Sequence, residues 1–151
     1  MILISHRGNL YGKGGDYWEN HPDYLNYALH KGFDVEIDVW LQDNQLFLGH
    51  DKPVHLIQDE FLFNNQNHLW CHAKNFEAME FLLKNKLHCF WHENDKMTLT
   101  SKGIPWLYPG QNIIDNSIIL KFEKNDLELD FITRAIIKGV CSDFIESFSN
   151  F

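Results

Sequence analysis

The sequence predicts an α/β protein, a compact TIM-like (β/α) barrel that is incomplete in places and has shortened helices. Three observations predict it. Apolar, strand-like runs alternate with segments of helical period, which argues for parallel βαβ units. The most regular strand carries acids on one face and aliphatics on the other. About seven core strands can be counted, close to the number a parallel barrel needs. The length of 151 residues suits a single domain spanning 1–151. It falls below the ~200 residues usual for such barrels, so some connections must be loops. A doubly wound open sheet is the alternative architecture.

Residues 2–5 form the first short strand. Residues 21–31 follow as a helix: Pro22 stands near its start, Tyr24, Leu25, Ala28 and Leu29 share one face, and Gly32 stops it. Residues 33–41 alternate as a strand. Asp43-Asn44 marks a turn into a second short strand at 46–49. A strand at 69–73 leads into an amphipathic helix at 75–85 with Phe76, Met79, Leu82 and Leu83 on its apolar face. Further strands are expected at 88–92, 104–108, 117–122 and 139–142. A loop is expected at 109–116, and a helix at 125–138 with Leu127, Phe131 and Ala135 at helical spacing.

The composition supports a packed core, with 44% hydrophobic residues, 12 Phe and 5 Trp. A net charge of -8 argues against an electrostatic grip on nucleic acid or an anionic membrane. It leaves room for a small phosphate-bearing substrate if a bound cation supplies positive charge locally. The start, MILISHRGN, does not read as a signal peptide, so none is expected, and no run is long enough to span a bilayer. Cys71, Cys89 and Cys141 sit in apolar runs, and an odd count does not suggest a disulfide framework. The expectation is a cytoplasmic protein without stable membrane insertion; the oligomeric state is open.

The informative strand reads Phe33-Asp34-Val35-Glu36-Ile37-Asp38-Val39-Trp40-Leu41. Asp34, Glu36, Asp38 and Trp40 share one face, and Val35, Ile37 and Val39 share the other. In an antiparallel sheet this would be an ordinary wet face. In a parallel barrel the acids point inward, where they need a compensating cation, and paired carboxylates suit Mg²⁺ or Ca²⁺. His6 and His50 each end a strand run, the position where barrels carry chemistry. Together they can divide general base and general acid work. Arg7 offers a fork that matches phosphate oxygens. On residues 69–74, Trp70, His72 and Lys74 share a face. If it looks inward, His72 and Lys74 join the site, with His92 from the next strand; satisfied core histidines are the alternative. Gly12-Lys13-Gly14-Gly15 lacks the spacing of a phosphate loop.

The order His6-Arg7-Gly8, Glu19-Asn20, Gly32 to Val39, then Leu48-Gly49-His50-Asp51 resembles the glycerophosphodiester phosphodiesterase family, within the superfamily that includes phosphatidylinositol-specific phospholipase C. Gly139 to Phe144 is similar to the family's last barrel strand. The resemblance implies a TIM-like barrel and metal-assisted hydrolysis of a phosphodiester. His6 and His50 are cast as the acid/base pair, Arg7 as a phosphate contact, Glu36 and Asp38 as metal ligands, and Glu19 as a neighbour of the metal. Lys74 matches the lysine of the family's Glu-x-Lys strand, but His72 stands where that strand's Glu is expected. A His ligand opens the site to Mn²⁺ or Zn²⁺. The short segment between His50 and His72 implies an open mouth. Trp106 and Tyr108 are candidates to line it, with core packing as their alternative. The other functions considered are a silent barrel that binds phosphate or sugar-phosphate, and a lyase that releases a cyclic phosphate.

Overall fold

Strand β1 (Ile2–His6) is the hub of the sheet. In the computed structural model, which describes residues 1–15, 17–125 and 127–149, β1 runs parallel to β2 (Asp34–Gln42) on one side and β10 (Gly139–Ser142) on the other. From β2 the path continues through β5 (Leu69–Ala73) to β6 (Cys89–Phe90). From β10 it continues through β9 (Ile118–Lys121) to β8 (Pro105–Leu107), again in parallel. Antiparallel ribbons are added where β3 (Gln45–Leu48) folds back on β2 and pairs with β4 (His55–Ile57), and where β7 (Met97–Leu99) pairs with β8.

Among the described residues no ladder joins β6 to β8. Side chains fill that seam. Phe90 stacks on Trp106 with ring centroids 4.6 Å apart, and Trp70 lies 5.7 Å from Trp106. Ser101 closes the outer side, its amide donating to the Cys89 carbonyl at 2.7 Å. The result is a TIM-like barrel with one unlaced seam.

Strand alternation builds two cores. Outward-facing Val35, Ile37 and Val39 are fully buried against Leu25 and Ala28 of α1 (Pro22–His30) and Ala78 and Leu82 of α3 (Phe76–Lys84). Inward-facing Ile4, Trp70, Phe90, Trp106, Ile118, Leu120 and Cys141 form the barrel's interior layer. Toward the strand C-termini the next inward positions include His6, Glu36, His72 and Asp143, with Phe122 the apolar exception, so the interior turns from apolar to mainly ionisable at the mouth. Asn75 ties α3 to this frame: its side chain caps Ala78 N–H and exchanges hydrogen bonds with both the N–H and the C=O of Leu41.

The expected helix at 125–138 shrinks to α4 (Phe131–Ile136). Asp130 caps it through the Thr133 amide and hydroxyl, which starts the helix late. Phe131 is 86% exposed, while Leu129 and Ile137, flanking the helix, enter the core. Asp126 lies outside the described residues. The strand expected at 88–92 is only Cys89–Phe90, because Cys89 bonds to the Ser101 side chain where a partner strand would sit. β4, β7, α2 (Asp59–Asn65) and the 3₁₀ turn Ile145–Phe148 carry no clear period and are additions to the expected elements. The 109–116 loop is present as expected.

Candidate active site

His6 ends β1 with its ring turned into the mouth. Nδ1 lies 2.7 Å from Asp143 Oδ1, at the end of the neighbouring β10. A carboxylate accepts, so Nδ1 carries the proton and Nε2 presents its lone pair to the cavity, 3.8 Å from Glu36 Oε2. Burial lowers the His6 pKa, and the Asp143 bond partly offsets this. Burial opposes the Asp143 charge, but the His6 bond and charge, the Asn9 bond and the Lys13 charge together outweigh it and hold its pKa below the ordinary value. Asn9 donates to the same Asp143 oxygen at 2.7 Å, and the Phe122 ring packs 4.5 Å from the imidazole.

Glu36 and Asp38 of β2 are buried side by side. Asp38 is well partnered: Arg7 Nε lies 3.0 Å from Oδ2, Lys74 Nζ 3.6 Å from Oδ1, and Asn20 makes two hydrogen bonds to its carboxylate and amide. Burial opposes its charge, yet a proton on the His72 nitrogen facing it, with the Arg7 and Lys74 charges, outweighs burial and pushes its pKa well down. Glu36 is the opposite case, driven well above the ordinary carboxylate range by burial and then by the Asp38 charge.

His72 decides what this carboxylate pair accommodates. Its Nε2 lies 2.9 Å from the His92 carbonyl, which only accepts, so Nε2 is the protonated nitrogen. Nδ1 then faces Asp38 Oδ1 at 3.0 Å and Glu36 Oε1 at 3.8 Å. Two lone pairs at that separation repel, so a proton or a cation must lie between them. Ligand atoms of Glu36, Asp38 and His72 all fall within 4.8 Å of one another. Glu36 Oε2 and Asp38 Oδ1 are buried without a hydrogen-bond partner. The cavity lining sets Glu36, Glu93 and Asp143 against Arg7, Lys13 and Lys74, and the buried Asp38 adds a further acid to the cluster. The residues present therefore fit a divalent cation.

Arg7 adopts a left-handed backbone, φ 54°. This turn folds the guanidinium back over β2 with Nη1 at 3.2 Å from Glu19. Burial works against the Arg7 charge, but Asp38, Glu36 and Glu19 raise its pKa. Glu19 thus holds Arg7 and Asn9 and stands outside the three-ligand cluster. His50 follows β3, its Nδ1 at 2.7 Å from Asp51 and its side chain 42% exposed. It lines the same cavity of about 500 Å³ as His6, Arg7, Glu36, His72 and Lys74. Trp106 is a buried floor residue of that cavity, and Tyr108 is half-exposed at its rim. Asp34 is inward but at the opposite end, bound to His68 and the Trp70 indole.

Gly49 sets the entry of His50. Its φ is +150°, a Cβ there would collide with the Lys52 carbonyl oxygen, and its own carbonyl accepts from Trp40 Nε1 at 2.6 Å. We expect Gly49→Ala to cost roughly 1–3 kcal/mol. It should also displace His50; thermal melting alongside turnover checks both.

The sequence matches no family model and no curated protein sequence. A crystal structure of a glycerophosphodiester phosphodiesterase from Thermotoga maritima matches in three dimensions, at TM-score 0.54 and 16% identity over 99% of this chain and 98% of that chain. The chain has the glycerophosphodiester phosphodiesterase fold. At this identity the likeness shows architecture, and the roles of residues at the mouth of the glycerophosphodiester phosphodiesterase-like barrel rest on their own geometry. Asp143, Asn9 and Asn20 had no role assigned from sequence. Asp143 had one signal available: it follows the last strand as His6 follows the first.

Proposed function

We propose that the chain is a phosphoric diester hydrolase of the glycerophosphodiester phosphodiesterase type. The observation that carries this reading is the oriented His6: Asp143 fixes the tautomer, and Nε2 opens on a cavity shared with Arg7, Lys74 and His50. Arg7 and Lys74 would seat the phosphate oxygens, the Arg fork matching two of them. His6 Nε2, neutral because burial lowers its pKa, would take the proton of the attacking water. His50, half-exposed and braced by Asp51, would give a proton to the departing alcohol. A cation held by Glu36, Asp38 and His72 would supply Lewis-acid stabilisation of charge on the phosphate. Mg²⁺ or Ca²⁺ suit the carboxylates, and the His72 nitrogen extends the range to Mn²⁺ and Zn²⁺. Small diesters suit the cavity, and among the described residues no helix is long and apolar enough to cross a membrane.

The test is turnover of bis-p-nitrophenyl phosphate with and without divalent ions. Turnover should require the ion and drop by about 10²–10⁴-fold in His6→Ala and in His50→Ala. Full activity in both variants would remove the acid/base assignment. Ligand binding without turnover in any metal would instead support a silent binding barrel.

A further inference from the structure

A phosphodiester has two arms, and the mouth has two cavities that meet at Arg7 and His50. The larger, about 500 Å³, runs inward over the β6–β8 seam; the smaller, about 340 Å³, lies toward Glu19, Asp51, Lys52 and Val54. A phosphate held at Arg7 would therefore send one arm into each.

The larger cavity has two unlike walls. Phe90, Trp106 and Phe122 form an aromatic floor, and Tyr108 continues it to the rim. Beside this floor stand Lys74, His92, Glu93 and Asn94. His92 is the unexplained member. Its Nδ1 and Nε2 are both buried and neither has a hydrogen-bond partner, although its ring sits only 5.4 Å from the Tyr108 ring. A neutral imidazole has one donor and one acceptor nitrogen on diverging sides of the ring, so satisfying both takes two groups, one that accepts and one that donates, as separate hydroxyls on one rim can. Flat aromatic faces beside polar edge groups match a ring with apolar faces and a hydroxylated rim.

We propose that the larger cavity receives a hydroxylated sugar ring, of hexose size, as one arm of the diester, with His92 as the residue that selects its hydroxyls. This rests on the phosphodiesterase reading for the phosphate seat. Sites built to hydrogen-bond a hydroxyl reject analogues without it, because the protein's polar group is then left unpaired. The His92 side chain can be replaced without removing its carbonyl, which holds His72.

The experiment compares two diesters that share a methyl arm, one of glucose 6-phosphate and one of glycerol 3-phosphate. Wild type should favour the glucose diester in kcat/KM by about tenfold or more, and His92→Phe should collapse that ratio toward one. Tyr108→Ala, at a half-exposed rim position, should lower the same ratio if His92→Phe fails to fold. Tryptophan fluorescence titrations with glucose 6-phosphate, glycerol 3-phosphate and adenosine 5′-phosphate read the same preference without catalysis. Tighter binding of glucose 6-phosphate, lost in His92→Phe, supports the sugar arm even if neither diester is hydrolysed, in which case the hydrolase reading alone falls. Equal turnover of both diesters, or adenosine 5′-phosphate binding as tightly as glucose 6-phosphate, overturns the sugar arm while the hydrolase reading stands.

Discussion

Asp143→Asn is expected to lower kcat on a phosphodiester by roughly 10³–10⁴-fold, as loss of a tautomer-fixing carboxylate does elsewhere. The fold should survive, because Asn is nearly the same size. The reason is the proton position. Asp143 Oδ1 accepts from His6 Nδ1 at 2.7 Å, which leaves Nε2 basic toward the cavity. An amide can donate to Nδ1 and place the proton on Nε2, where it blocks base catalysis. Asp143 also acts on the pKa: burial lowers that of His6 and the Asp143 bond raises it. Removing the carboxylate should move the acid limb of the rate profile to lower pH. A purely structural Asp143 would instead lower the melting temperature without moving that limb.

Glu36→Gln is expected to raise stability in chelator by about 1–2 kcal/mol, or roughly 3–6 °C in Tm for a chain of this size, and to abolish the stabilising response to divalent ions. Glu36 is buried next to Asp38, and both features push its pKa well up, so the folded state favours its neutral form. Stability from that protonated carboxyl is present at acid pH and is lost as pH rises through the folded-state pKa. Glutamine keeps the shape and removes the loss. Asp38 has the reverse sign, since a proton on the facing His72 nitrogen, with the Arg7 and Lys74 charges, outweighs burial and lowers its pKa. Its contribution is present at neutral pH and disappears only as pH falls through that depressed pKa. Turnover of Glu36→Gln should fall by about 10²–10⁴-fold, the scale of losing charge stabilisation at the phosphate. Calorimetry at pH 7 in chelator and in Mn²⁺ separates the stability and metal effects.

The β2 strand was legible because both of its faces follow the period of two, aliphatic toward α1 and α3 and acidic toward the barrel. Val35, Ile37 and Val39 could point only one way, and that fixed where Glu36 and Asp38 point. Asp143 was opaque for the opposite reason. It lies 137 residues from His6, and their contact exists only because β10 pairs with β1. Asn20 likewise reaches Asp38 only through a left-handed turn, φ 63°, that no period announces. Helix α4 was misplaced because the spacing of Leu127, Phe131 and Ala135 mimics an apolar face, whereas the Asp130 cap and its bonds to Thr133 set where the helix begins. Trp106 was read as pocket or core and is both, closing the seam against Phe90 while flooring the cavity.

His6, Arg7, Glu36, Asp38, His50, His72 and Lys74 are expected to act as a single composite site at the barrel mouth. Crystals soaked with Mn²⁺ and inorganic phosphate, measured at the manganese absorption edge, test it directly. The expected result is one anomalous peak bounded by Glu36, Asp38 and His72, with phosphate density on Arg7 and Lys74 between His6 and His50. Manganese bound elsewhere, or phosphate seated away from Arg7 with the carboxylate cluster empty, would contradict it.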